Sequence, residues 1–115
     1  MLKIAKEGEA YHVELFQVNR LNTLFSSLVE EQLGELLSQP GSEVIFNLRG
    51  VRFIDSAGFD VLGRIADLAV RSHSSFSLCN VSEDVHELIL LMEMEGKFCY
   101  CTLRDNAEKI LVELD

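Results

Sequence analysis

The segment Phe53-Ile54-Asp55-Ser56-Ala57-Gly58-Phe59 joins two patterns that few folds can host together. Before it, Val44-Ile45-Phe46-Asn47-Leu48 is almost continuously apolar, which predicts a central strand covered on both faces. After it, Leu62, Ile65, Ala66 and Ala69 recur at helical spacing, and this helix is expected to reach about Arg71. A buried strand that gives way directly to a helix opens a crossover unit, so a mostly parallel sheet with covering helices is expected.

At the junction, Asp55 and Ser56 are both helix-capping types, and Gly58 eases the turn. A cap is a purely local role. The serine also falls at or beside the first helical turn, where backbone N–H groups lack intrahelical partners and the dipole is positive. A phosphate on Ser56 is therefore expected to sit in a favourable place.

The flanking chain supplies the other layers. Leu2 and Ile4, then Tyr11, Val13 and Leu15 alternating with His12 and Glu14, read as an antiparallel hairpin about Gly8-Glu9. Asn19-Arg20-Leu21-Asn22 reads as a polar loop ending in an N-cap. A helix with Leu21, Leu24, Phe25, Leu28, Leu33, Leu36 and Leu37 on its stripe follows and stops at Pro40-Gly41. Phe76-Ser77-Leu78-Cys79-Asn80-Val81 is a further strand, and Ser82 caps a helix with Val85, Leu88, Ile89 and Met92 on one stripe and Gly96 as its stop. Leu90, Leu91 and Met94 are expected to pack under the next strand; the alternative is an exposed patch for another chain. Phe98-Cys99-Tyr100-Cys101-Thr102-Leu103 is the last strand, and Asp105-Asn106 caps a closing helix carrying Ala107, Ile110, Leu111 and Leu114. The fold class is thus α/β in one domain, residues 1–115. It has a mixed, mostly parallel sheet of about five strands, an N-terminal antiparallel hairpin and about four helices.

Several function classes are excluded by composition and pattern. The net charge of -9 and pI near 4.7 repel a phosphate backbone, so no nucleic-acid partner is expected. The acidity is concentrated from Glu83 to Asp115, where nine acidic and three basic residues leave -6 of the total. No apolar run has transmembrane length and the start lacks a signal layout, so a cytoplasmic protein without direct membrane insertion is expected. Cys79, Cys99 and Cys101 are read as buried small hydrophobes in a reducing compartment. Cys99 and Cys101 are expected on opposite strand faces, holding neither a metal nor a bridge. His12 reads as a surface residue, and His73 and His86 stand without a carboxylate or cysteine at ligand spacing, so no metal site is expected. Ser56 at a strand-to-helix turn invites comparison with a nucleophile elbow, but Ile54 stands where the first glycine of G-x-S-x-G belongs. With no phosphate-cradling glycine loop either, no enzyme activity and no cofactor are expected.

The wider segment Leu48-Arg49-Gly50-Val51-Arg52-Phe53-Ile54-Asp55-Ser56-Ala57-Gly58-Phe59 closely resembles the signature of the STAS family, the domain of anti-sigma-factor antagonists. The order of elements matches as well. In that family the serine after the aspartate is phosphorylated by a partner kinase, which by resemblance marks Ser56. Many members carry a second Ser or Thr where this chain has Ala57, leaving one hydroxyl in the motif.

The resemblance also implies a partner surface: Asn19, Arg20 and Asn22 in the loop before the first helix, Asp55, Ser56, Ala57, Gly58 and Phe59 at the junction, and Asp60 and Arg64 on the helix. Arg20 departs from the acidic residue often found in that loop and is suited to pairing with a phosphoserine if it points that way. Asp60, Arg64, Asp67 and Arg71 form a mixed-charge row with intrahelical pairing distances. The implied partners are an anti-sigma factor serine kinase, which docks when Ser56 is bare and is released when it is phosphorylated, and a serine phosphatase that resets the switch. The chain itself would be a monomer or weak homodimer. The alternative function is an accessory STAS subunit of a lipid-trafficking ABC transporter.

Overall fold

A computed structural model describes residues 2–15 and 18–101. Strands β1 (Leu2–Glu7) and β2 (Ala10–Leu15) form the expected antiparallel hairpin, with Glu7 opposite Ala10. Gly8 takes φ +66° at the first of the two turn positions, the geometry that lets the turn follow the twist of its strands. A two-residue strand β3 (Arg20–Leu21) precedes helix α1 (Thr23–Leu37). Then come β4 (Glu43–Asn47), another two-residue strand β5 (Phe53–Ile54), α2 (Ser56–Arg71), β6 (Ser75–Cys79), α3 (Glu83–Leu91), a 3₁₀ turn (Glu95–Lys97) and β7 (Cys99–Cys101).

The main sheet has the order β1-β2-β4-β6-β7, and every pair except the hairpin is parallel. Val44 and Phe46 of β4 and Phe76 and Leu78 of β6 join Val29 and Leu33 of α1 and Leu62 and Ile65 of α2 in one buried core. The intervening residues Ile45, Asn47, Ser77 and Cys79 face the other way and are buried too, so β4 is covered on both faces as its apolar run predicts. At the carboxyl end of β4, Asn47 Oδ1 accepts from the Arg49 N–H (2.9 Å) and from Asn80 Nδ2 (3.1 Å), and the Leu48 N–H donates to the Cys79 carbonyl (2.9 Å).

Several expectations are corrected. Leu21 shares the spacing of the α1 stripe but lies before the helix, in β3, fully buried. The helix starts after Asn22, whose Oδ1 accepts from the Leu24 N–H (3.0 Å), and ends at Leu37, before Pro40; Leu24 is exposed. Arg64 and Asp67 pair across elements rather than along α2. Arg64 grips Glu30 of α1 with two bonds of 2.8 and 2.9 Å, and Asp67 meets Lys97 at 2.9 Å. Helix α3 stops at Leu91, well before Gly96, where Glu93 enters the left-handed region at φ +57°. Leu90, Leu91 and Met92 are exposed, and only Met94 packs against the core. Cys99 is exposed and Cys101 half-buried, leaving Cys79 as the one cysteine of the three buried as a small hydrophobe. Cys99 and Cys101 share a face, because a strand repeats every two residues. The closing helix expected after Asp105 lies outside the described residues, among which three α-helices are present.

Candidate functional site

The two shortest strands build the junction. Arg20–Leu21 pairs in parallel with Phe53–Ile54, and this ladder is continued by the Arg52 N–H donating to the Asn19 carbonyl (2.8 Å) and the Asp55 N–H donating to the Leu21 carbonyl (3.1 Å). Leu21 and Ile54 point into the core, which anchors both segments. The far side of the loop is tied to α3: Arg52 pairs with Asp84 (3.2 Å), and Ser82 Oγ donates to the Val51 carbonyl (3.2 Å) while accepting from the Val85 N–H (3.1 Å). The start of α2 is thus held from both sides by backbone and cap bonds.

Asp55 is the cap of α2, with φ -88° and ψ 179°. Its Oδ1 accepts from the Gly58 N–H at 2.8 Å, and the Ala57 N–H adds a further bond. Its Oδ2 accepts from the Thr23 N–H (3.1 Å) and the Thr23 hydroxyl (3.3 Å), at the first residue of α1. One carboxylate therefore closes the N-termini of two helices. The Gly58 N–H is the main reason that the Asp55 carboxyl titrates below its usual range; partial desolvation acts in the opposite direction, and the Thr23 and Ala57 donors reinforce the lowering.

Ser56 is the first residue of α2 and is exposed. Among the described residues its hydroxyl has no hydrogen-bond partner. Since Asp55 already takes the nearby free N–H groups, a phosphate on Ser56 would project into solvent beside a carboxylate, not into an empty anion hole. That revises the expectation of a favourable phosphate seat.

The other expected contact residues divide by burial. Gly58 and Phe59 are buried, and Phe59 is part of the core, so neither offers a side chain to a partner. They support the junction from within. A Cβ at Gly58 would stand 2.8 Å from both Ile54 Cγ2 and the Leu21 carbonyl oxygen, so close packing of α2 on β3 requires glycine there. Ala57 is half-buried, whereas Asp60 and Arg64 are exposed and continue from Ser56 at four-residue steps along one line of α2. Asn22 is occupied as the α1 cap. Asn19 and Arg20, with Val18 and Phe25, line an open hollow of about 510 Å³. Arg20 is exposed and forms no ion pair with any described residue. Glu30 and Arg64 line a second hollow of about 200 Å³ further along α2. Among the described residues no cluster of three or more His, Cys, Asp or Glu is placed to hold a metal ion.

Thr23 is the functional neighbour that sequence reasoning missed. It lies 32 residues from Asp55, and no local pattern connects them. The exposed Phe53 and Leu24 add apolar surface on the same two segments.

The STAS domain family model matches residues 11–110. An anti-sigma F factor antagonist from Paenibacillus polymyxa is 28% identical over 91 residues, covering 78% of this chain and 75% of that protein. Among solved structures, an anti-sigma-factor antagonist (STAS) domain protein from Planctomyces limnophilus superposes with TM-score 0.78 at 17% identity, covering 92% of each chain. The Bacillus cell fate determinant SpoIIAA in its phosphorylated form superposes with TM-score 0.67 at 12% identity, covering 96% of this chain and 99% of that one. With a family match whose span holds the two-strand ladder and the Asp55 cap, this chain belongs to the STAS domain family.

Proposed function

We propose that this chain is an anti-sigma-factor antagonist, a binding module whose docking to an anti-sigma factor serine kinase is governed by the state of Ser56. The observation that carries the reading is the division of labour at the junction. Asp55 is fully engaged in holding two helices, while the adjacent Ser56 hydroxyl is exposed and free of structural duty. A phosphate there adds about -1.5 to -2 of charge beside Asp55 and one turn from Asp60. It changes the surface without removing a bond that the fold depends on. Docking would weaken by repulsion and desolvation, and a serine phosphatase would restore it. Asn19, Arg20, Asp60 and Arg64 are the charged and polar rim of this contact. The module performs no chemistry of its own; the kinase supplies the ATP. The likeness to an antagonist from Paenibacillus polymyxa supports the reading.

The test is a pull-down from host lysate with wild type, Ser56→Ala and Ser56→Asp as baits. Recovery of a serine kinase by wild type and Ser56→Ala, and its loss with Ser56→Asp, is the expected result. Equal recovery by all three baits overturns the switch.

A second reading has one observation in its favour: Leu90, Leu91 and Met92 form an exposed apolar end of α3. An accessory subunit of a lipid-trafficking ABC transporter would hold a permanent partner with such a surface. Transporter subunits recovered by every bait would establish that reading instead.

A further inference from the structure

The last two strands of the sheet carry a modification site of a different kind. In the β6–β7 register Ser77 stands opposite Cys99 and Cys79 opposite Cys101, so four small side chains share one face. Neighbouring strands lie about 4.8 Å apart. A disulfide accepts Cα separations of about 4.4–6.8 Å, and the spacing of a register pair falls within that range. We propose that Cys79 and Cys101 form a reversible intramolecular disulfide when the protein meets a peroxide, tying the edge strand β7 to β6.

The environment separates the roles of the two sulfurs. Cys79 is buried and Cys101 half-buried, so a small oxidant reaches Cys101 first. The Ser77 hydroxyl lies 3.6 Å from Cys101 Sγ and donates to it. The neighbouring Cys79 is the main reason that the Cys101 thiol titrates below its usual range, against the opposing effect of burial. Cys79 correspondingly keeps its proton, first through its coupling to Cys101 and then through burial. The more exposed thiolate, accepting from Ser77, is the nucleophile of such a pair, and the buried partner resolves it.

The chemistry is balanced. The Cys101 thiolate attacks one peroxide oxygen and breaks the O–O bond, giving Cys101 sulfenic acid and hydroxide. Cys79 sulfur then displaces hydroxide from Cys101 sulfur, and its proton leaves with that hydroxide as water. Two thiols lose two electrons and two protons in all, and one hydrogen peroxide becomes two waters. The bridge would close a loop from 79 to 101 that contains all of α3, including the exposed Leu90–Leu91 end.

The full chain treated with stoichiometric hydrogen peroxide, digested with trypsin without reduction and mapped by mass spectrometry tests this. Cys79 falls in the peptide 72–97, and Cys99 and Cys101 in 98–104. The expected product is those two peptides joined with loss of two hydrogens in wild type and in Cys99→Ser, absent in Cys101→Ser, and reversed by dithiothreitol. The bridged Cys99→Ser protein should also show a thermal midpoint higher by roughly 10 °C. Peptide 98–104 recovered only as a sulfinic acid, or a linkage through Cys99 that Cys99→Ser abolishes, overturns the proposal. Fragmentation of the joined wild-type peptides between Cys99 and Cys101 assigns the linked sulfur, so the result does not depend on every variant folding.

Discussion

The start of α2 and the end of α3 are opposite solutions to the same problem of presenting a surface. At the start of α2, Asp55 gathers N–H groups from two helices, β3 and β5 zip the approach, and Gly58 fits where no side chain can. At the end of α3, Leu90, Leu91 and Met92 project with little to hold them, and the helix stops through a left-handed Glu93. A polar corner tied by so many bonds is suited to respond to one added charge. An apolar end is indifferent to charge elsewhere and suits a contact that persists. The first suits the proposed switch, the second a partner that stays bound.

The contrast can be broken most severely at Gly58. Gly58→Val should lower stability by about 3 kcal/mol in urea denaturation, since its side chain meets the Leu21 backbone and Ile54 at once. Asp55→Ala comes next, at about 2 kcal/mol, for a cap lost together with the Thr23 bonds. This loss has a pH signature. The carboxyl of Asp55 is lowered in the folded state, so its contribution is fully present above the unfolded value of about 3.9 and disappears as pH falls through the folded value. Wild type and Asp55→Ala should therefore differ at neutral pH and converge in acid; a gap that persists unchanged at low pH would mean that the carboxylate is not the source.

The α1–α2 contact offers a smaller effect. Arg64→Ala removes the paired bonds to Glu30, both on exposed side chains, and the slight fall expected in thermal midpoint should shrink further in concentrated salt. The smallest effects on the fold sharpen the comparison best. Ser56→Asp and Leu91→Asp should each leave stability within about 0.5 kcal/mol of wild type, because neither residue is built into the structure. Binding separates them: a partner read at the corner is lost with Ser56→Asp and kept with Leu91→Asp, and a partner held at α3 shows the reverse.

Much of this arrangement was legible in the residues. The hairpin turn at Gly8-Glu9, the doubly covered β4 and the Asn22 and Ser82 caps all depend on local spacing, and each is seen as expected. Either Asp55 or Ser56 could cap α2 by type; only the folded backbone shows that Asp55 does so. The two-residue strands β3 and β5 left no signal, since two residues cannot show a period, and Leu21 borrowed the spacing of a helix that begins after it. Thr23 with Asp55, Arg64 with Glu30 and Asp67 with Lys97 are pairings between distant segments, which only packing creates. Leu90 and Leu91 stand exposed where packing is expected, because an apolar residue at the end of a helix reads the same whether it meets a neighbour or water.

The Asp55 cap has a practical consequence for work with this protein. Exposed helix starts commonly collect sulfate or phosphate from the medium, and the switch proposed above invites the concern that buffer ions imitate it. Here an internal carboxylate already occupies the N–H groups that such ions would seek, at the first turns of both α1 and α2. Free phosphate would therefore have to compete with Asp55 for these donors. On the switch proposed for Ser56, assays in phosphate buffer should report the same affinity as assays in a buffer without it.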